Sequence, residues 1–531
     1  MTAAAAGRGR GSGVGDWRPW GLALLAAMCV VLAIEPWPVG VFQDDGVYAV
    51  LAKSLATGEG YRFIQMPGAP HATHYPPGYP LFLAALWKVY PRFPENVTLF
   101  KFANAALLGA AAFGAYRFAI TWARLGKWGA ASIVALFTAC TPVVLLSVML
   151  LSEPLFLVGL LPALWAAERA AHSGGTRDAA WAGAAAGALS MVRSLGILVA
   201  PATALVLVWR RQWRSAAVTL GVAGLVMLPW QAWVSAYAHE VPPILLGKYG
   251  SYTGWLADAV RAEGPLWVLK VGWFNLGKLV FETWTHTATV LLPVGIRVAA
   301  TAAVCALLIA GFVVAFRRIQ ATALFVLMYL AVVVIWPFAP ARFVWGIWPL
   351  IGMLLGLGAQ ALVVRGVAFG SLGRSPAHPL ARAVWATATA CLLVGYLTFN
   401  YQSIAEKWWA QVQGSVAMRA KPMAEWVNAN TRQDAVLATD DDLLVYLYTG
   451  RRTVPNAAFT AQEHVIPQTP AFAAASLRTI LRTYPITFVL AGTEYATYGV
   501  RGLVSAMPAE LRVVTPVGAG AVFAPVPGLT P

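Results

Sequence analysis

The chain has 531 residues, 59% apolar and only 11% charged, against roughly 25% charged for soluble globular chains; too little charge remains to cover a water-facing surface, which excludes an ordinary soluble fold. The formal charge of +16 would suit a nucleic-acid binder, but most of the cations lie in short segments between apolar blocks, where they mark the cytoplasmic side of a membrane and attract anionic headgroups. Membrane lipids are therefore the implied partners, and no nucleic acid is.

Arg8, Arg10 and Arg18 precede an apolar block from Trp20 to Ile34. No small-residue cleavage site follows, so the block reads as an uncleaved first span with a cytoplasmic N-terminus. A long outer loop then runs from about 35 to 97. It opens with Phe42-Gln43-Asp44-Asp45-Gly46-Val47-Tyr48-Ala49 and a helical pattern to Leu55, stopped by Gly58-Glu59-Gly60. The bland reading of the two carboxylates is a helix start, where negative charge meets the macrodipole.

His71-Ala72-Thr73-His74-Tyr75-Pro76-Pro77-Gly78-Tyr79-Pro80 follows, a turn made rigid by consecutive prolines before a new amphipathic helix. Two histidines three apart in a loop are weak metal ligands, and interfacial hydrogen bonding explains them as well. Asn96-Val97-Thr98 spells a glycosylation acceptor, but beside a span it reads as a helix start.

Further on, Arg117, Arg124 and Lys127, then Arg169 and Arg177, then Arg210, Arg211 and Arg214 alternate with turns nearly free of cations, so the positive-inside rule threads the chain back and forth. Glu153, in Ser152-Glu153-Pro154-Leu155-Phe156, lies at an outer turn after a long uncharged block. A carboxylate there is costly unless it faces water or a partner, and a helix cap before Pro154 is the alternative. The small-residue run from Ala182 to Ala188 serves packing within the chain or between copies equally well.

Arg193 and Arg342, in Pro340-Ala341-Arg342-Phe343, fall at outer span ends. They read either as interfacial side chains reaching for headgroups or as donors to a phosphate. A second outer loop, about 237 to 284, is rich in aromatics and carries Lys248 and Tyr249. Arg317, Arg318, Arg365, Arg374 and Arg382 mark the cytoplasmic side again, and a last span near 383 to 402 runs outward. The total is about eleven spans, an odd number that puts the first outer loop and the C-terminus on the same, extracytoplasmic side.

After residue 402 the composition becomes that of a soluble domain, 403–531, and alternating patterns predict a small α/β domain with strands near 435–439, 486–491, 511–515 and 521–525. The fold class is thus an all-α polytopic membrane domain, 1–402, followed by this α/β domain. Cys29, Cys140, Cys305 and Cys391 all lie in apolar blocks, none closely spaced with another, and read as buried hydrophobes.

The Asp-Asp-x-x-Tyr-Ala opening, the His-Tyr-Pro-Pro-Gly-Tyr-Pro turn and the Ser-Glu-Pro-Leu-Phe turn together resemble the GT-C superfamily of membrane glycosyltransferases. Its bacterial branch, with the protein mannosyltransferase-like enzymes and the aminoarabinose transferase that modifies lipid A, is the nearest in look. The resemblance implies a polyprenyl-phosphate sugar donor, an extracytoplasmic envelope acceptor, Asp44 as the catalytic residue, Asp45 at the following acidic position and Glu153 at the second. The aminoarabinose branch has a Glu-Lys pair where this chain has His74 and Tyr75, so the lysine's contact with the donor phosphate does not carry over. Members differ in using a divalent metal ion, so no cofactor is fixed. Tyr48, His74, Tyr75, Arg193, Arg342 and Lys248 are the expected substrate-binding residues. The rival expectation is a transporter or flippase of a lipid-linked envelope precursor, whose outer charges line a path; the chain lacks the paired broken helices that many carriers show.

Overall fold

The computed structural model describes residues 16–35, 38–283, 293–370, 377–492, 510–518 and 520–531. Arg8, Arg10 and Arg374 lie outside them, as do the side chains of Arg365, Arg382 and Cys391. Most of the described residues are helical.

Four described helices are long and apolar enough to cross a membrane: Asn96–Thr121, Glu153–Ser173, Trp213–Glu240 and Val294–Arg318. Lys127–Thr138 and Thr141–Val148, bent by 53°, make a fifth when taken as one span; Pro142 at the start of the second helix fits the break. Arg18–Leu32, Ser194–Trp209, Gln320–Ile335 and the stretch Trp348–Ala361 of a longer helix are apolar over only 10–17 residues. The sequence reading counts every apolar block as a crossing. Three of these blocks form helices shorter than the ~20 residues that a straight crossing takes, and Trp348–Ala361 is part of the longer Trp348–Gly370 helix, so among the described residues four or five of the expected eleven or so spans qualify.

Glu153–Ser173 runs through the middle of the bundle, with 61% of its apolar window buried, whereas Trp213–Glu240 has 11% buried and presents Leu220, Leu225 and Leu228 outward. Small residues set the closest approaches. Gly183 and Gly187 pack on the Trp213–Tyr237 helix, where a Cβ on Gly183 would stand 2.4 Å from Thr219 O, so the Ala182–Ala188 run serves packing within the chain. Gly311 and Gly358 pack the Val294–Arg318 helix against Trp348–Gly370 in the same way, a Cβ on either meeting a carbonyl of the other helix at 2.0 and 2.1 Å.

The C-terminal sheet has five strands in the order β2-β1-β3-β5-β4: β1 Val436–Thr439, β2 Arg452–Pro455, β3 Phe488–Ala491, β4 Leu511–Val517 and β5 Gly520–Pro525. β1 pairs in parallel with β2 and β3; β3 with β5 and β5 with β4 are antiparallel. Four of the strands lie where alternation predicts them. The fifth, β2, is a four-residue edge strand ending in Pro455, too short and too near a breaker to stand out in sequence.

Two large apolar cores result. One fills the helix bundle around Phe156, Leu160, Phe325 and Leu357. The other is shared by the first outer loop, through Val47, Leu51 and Leu83, and by the sheet and its helices, through Ala438, Leu447, Val454 and Leu477. The loop and the sheet therefore bury one another. Gly40 and Gly46 permit this contact, since a Cβ on either would meet Leu444 or Leu443 at 2.8 Å. Thr453 N donates to Gln65 O at 2.7 Å, tying the β2 edge to the loop.

Candidate active site

Between the bundle and the sheet lies a cavity of about 790 Å³. One part is apolar, with Leu195, Ile197, Leu198, Val332 and Val333; another is polar, with Asp44, His74, Arg193, Lys248, Arg342 and Asp440.

Asp44 begins the Asp44–Ala56 helix, where its charge meets the positive end of the macrodipole. The residue before it, Gln43, is held at φ 61° and ψ −66°, and Asp44 N donates to Phe42 O at 2.6 Å, a tight γ-turn with positive φ in a non-glycine residue. Such strain persists where the surroundings enforce it. Here Asp45 enforces it: its buried carboxylate accepts from Gly40 N, Phe42 N and Gly46 N at 2.8 to 2.9 Å. Asp45 thus holds the loop that aims Asp44 and does not itself line the cavity. Burial, opposed by those three donors and reinforced by Asp44's charge, pushes its carboxyl up to about 6.

Asp44 accepts from Tyr75 Oη at 2.6 Å and from Arg342 Nη2 at 2.5 Å. Burial works to raise its pKa, but the charges and hydrogen bonds of Arg342, Tyr75 and Arg193 outweigh it and hold the carboxyl below its ordinary range. Asp44 is therefore ionised at neutral pH. Tyr75, pushed well above the usual phenol value by burial and by Asp44's charge, stays a donor.

Glu153 opens the Glu153–Ser173 helix and is buried between two arginines, 2.7 Å from Arg193 Nη1 and 3.4 Å from Arg342 Nε. Ser152 Oγ completes the link, accepting from Arg193 at 3.1 Å and sharing a 3.1 Å hydrogen bond with Tyr48 Oη. Asp44, Arg342, Glu153 and Arg193 form an alternating chain of charges. Arg193 is placed by the Pro-Pro-Gly turn, because Gly78 N donates to Met191 O at 2.7 Å, and a Cβ on Gly78 would stand 2.6 Å from that oxygen.

His74 and Lys248 line the cavity and are each held by a further partner. His74 is buried, donates from Nδ1 to Gly250 O, and lies among Tyr75, Tyr252 and Trp255; burial lowers its pKa to about 4, so the ring is neutral. Lys248 Nζ pairs with buried Asp442 at 2.7 Å, and Tyr249 Oη donates to the same carboxylate. His71 turns away from His74 to Glu240, at 2.8 Å. Among the described residues no three His, Cys, Asp or Glu side chains come together as a metal site.

The structure thus brings Asp44, Tyr48, His74, Tyr75, Arg193, Lys248 and Arg342 to one cavity, with Glu153 and Asp45 behind them. Sequence reasoning missed the strain at Gln43, the role of Ser152 and the wall made by Asp440, Asn456 and Glu463 from the C-terminal region. The run Asp440-Asp441-Asp442 was a visible signal.

No family model matches the sequence, and no curated protein does. Among solved structures the chain is similar to ArnT from Cupriavidus metallidurans bound to undecaprenyl phosphate, with a TM-score of 0.51 at 12% identity over 97% of this chain and 98% of that one. It is similar as well to the same protein in the apo state, with a TM-score of 0.52 at 12% identity over 96% and 98%. The chain therefore shares the fold of that protein along nearly its whole length.

Proposed function

We propose, from that shared fold and the Asp44 cluster, that the chain is an inverting glycosyltransferase moving a hexose or pentose from a polyprenyl-phosphate donor to an extracytoplasmic glycolipid, polysaccharide or protein, with Asp44 as base. The observation that carries this reading is an ionised carboxylate and two arginines at the polar part of a cavity whose other part is apolar, in the fold of a protein that binds undecaprenyl phosphate.

In this reading the isoprenoid lies along Leu195, Leu198, Val332 and Val333, and the phosphate meets Arg342 and Arg193. Asp44 takes the proton of the acceptor hydroxyl or amide as that group attacks the anomeric carbon. The bond from that carbon to the phosphate oxygen breaks, and the two arginines stabilise the charge that the phosphate gains. Arg342 binds Asp44 in the structure described, so an arriving phosphate competes for the guanidinium and leaves the carboxylate a stronger base. Tyr75, Tyr48 and His74 shape the pocket, Lys248 braces its wall, and Asp45 and Glu153 position the groups that react. About eleven spans put this site and residues 403–531 outside the cytoplasm, and 1–402 in and around the membrane.

The test is mass spectrometry of envelope glycolipids and glycoproteins from cells with the intact chain, a deletion, and Asp44→Asn at matched expression. Loss of one sugar in both mutants is expected, and in a reconstituted assay Asp44→Asn should slow transfer at least ~100-fold. An unchanged profile, with a lipid-linked sugar accumulating on one membrane face only in the deletion, would instead make the chain a transporter.

A further inference from the structure

Two of the three parallel strands, β1 and β2, end at the cavity. β1 lies between β2 and β3, and the chain passes first to β2 and then back across β1 to β3. The crevice at the carboxyl ends of β1 and β3 is thus a topological switch point, the place where open α/β sheets bind their ligands. Asp440 follows directly on β1, Asn456 on β2 and Gly492 on β3, and Asp440 and Asn456 line the cavity.

Two acidic side chains nearby, those of Asp442 and Glu463, already have partners. Asp442 holds Lys248 and Tyr249, and Glu463 accepts from Thr460 N at 2.8 Å and from Gln468. Asp440 differs. Among the described residues its Oδ1 has two long contacts of 3.4 Å, from Thr439 Oγ1 and Gly492 N, and its Oδ2 is buried with no hydrogen-bond partner. A shielded carboxylate oxygen with nothing to accept from is costly, and a ligand that donates to it relieves the cost. Gly492 leaves room beside it, since a Cβ there would stand 3.7 Å from Oδ2, at ordinary contact distance.

Lys248, the cation on this side of the cavity, is held by Asp442, so a phosphate belongs with Arg193 and Arg342. Neutral donors such as the hydroxyls of a sugar ring suit the crevice. We propose that Asp440 binds hydroxyls of the sugar being transferred, so that the C-terminal sheet selects the sugar while the arginines hold the carrier phosphate. This rests on the glycosyltransferase reading above.

The experiment measures binding by the full chain in lipid nanodiscs of undecaprenyl phosphate and of the same lipid carrying mannose, glucose or arabinose, with wild type, Asp440→Ala and Asp440→Asn. Wild type should bind at least one sugar-bearing lipid more tightly than the bare carrier. Asp440→Ala should weaken that lipid about tenfold and leave the bare carrier unchanged, with Asp440→Asn in between. Equal loss for both lipids would reduce Asp440 to a structural residue, and no loss for either would remove it from recognition. If wild type binds every sugar-bearing lipid no better than the bare carrier, the cavity does not read the sugar and the inference fails alone. If wild type binds none of the lipids, the glycosyltransferase reading fails with it.

Discussion

Glu153 is the residue whose removal tests the charge chain most directly. It counters Arg193 and Arg342 from a buried position, and breaking a buried pair by neutralising one partner costs about 3 kcal/mol. Glu153→Gln should therefore lower the thermal midpoint of the lipid-free chain, while saturating undecaprenyl phosphate restores more of it than in wild type, because the phosphate replaces the missing negative charge; scanning calorimetry with and without the lipid checks both. Asp44 sets the pH dependence. A carboxyl held below its ordinary range keeps its charge, and the stability that its partners confer, above the unfolded value, and loses both only as pH falls through the lowered folded value. The acid limb of a kcat/KM profile should thus lie below the usual carboxylate range, and an acid limb near neutrality would show that Asp44 is not the group that titrates.

The Pro-Pro-Gly turn shows what an element adds to its residues. Its rigidity is readable in the sequence, since two prolines fix their own backbone. The need for glycine is not, because it comes from Met191 O, far along the chain, approaching to where a Cβ would be. Gly78→Ala should push the turn off the segment bearing Arg193, costing about 1–3 kcal/mol and reducing transfer more than any nearby surface substitution; unfolding midpoints read with a transfer assay measure the two effects. The Asp44–Ala56 helix is a similar case. Its acidic start and glycine stop are local signals, whereas the positive φ of Gln43 is imposed by three backbone donors converging on Asp45.

At the scale of the molecule, the proposed topology puts the sheet outside and the Arg210–Arg214 segment inside. In a variant lacking the native cysteines, Gln433→Cys should react with a membrane-impermeant maleimide on intact cells, and Arg211→Cys only after permeabilisation; the reverse pattern would invert the chain. The sequence by itself determined the membrane class, the helical bulk, a C-terminal sheet and the motifs around Asp44 and Glu153, because composition, alternation and turn residues act over a few neighbours. Its count of about eleven spans exceeds the four or five described helices that are long and apolar enough to cross, because apolar content does not fix how far a helix runs. Only the tertiary structure decided that the first outer loop and the sheet share one core, that Lys248 is held by Asp442, that Asp45 faces backbone while Asp44 faces the cavity, and that Asp440 ends a strand at the same cavity. Apart from Asp45, whose partners are local, these depend on groups far apart in the chain arriving within hydrogen-bond reach or apolar contact, which no short stretch of sequence encodes alone.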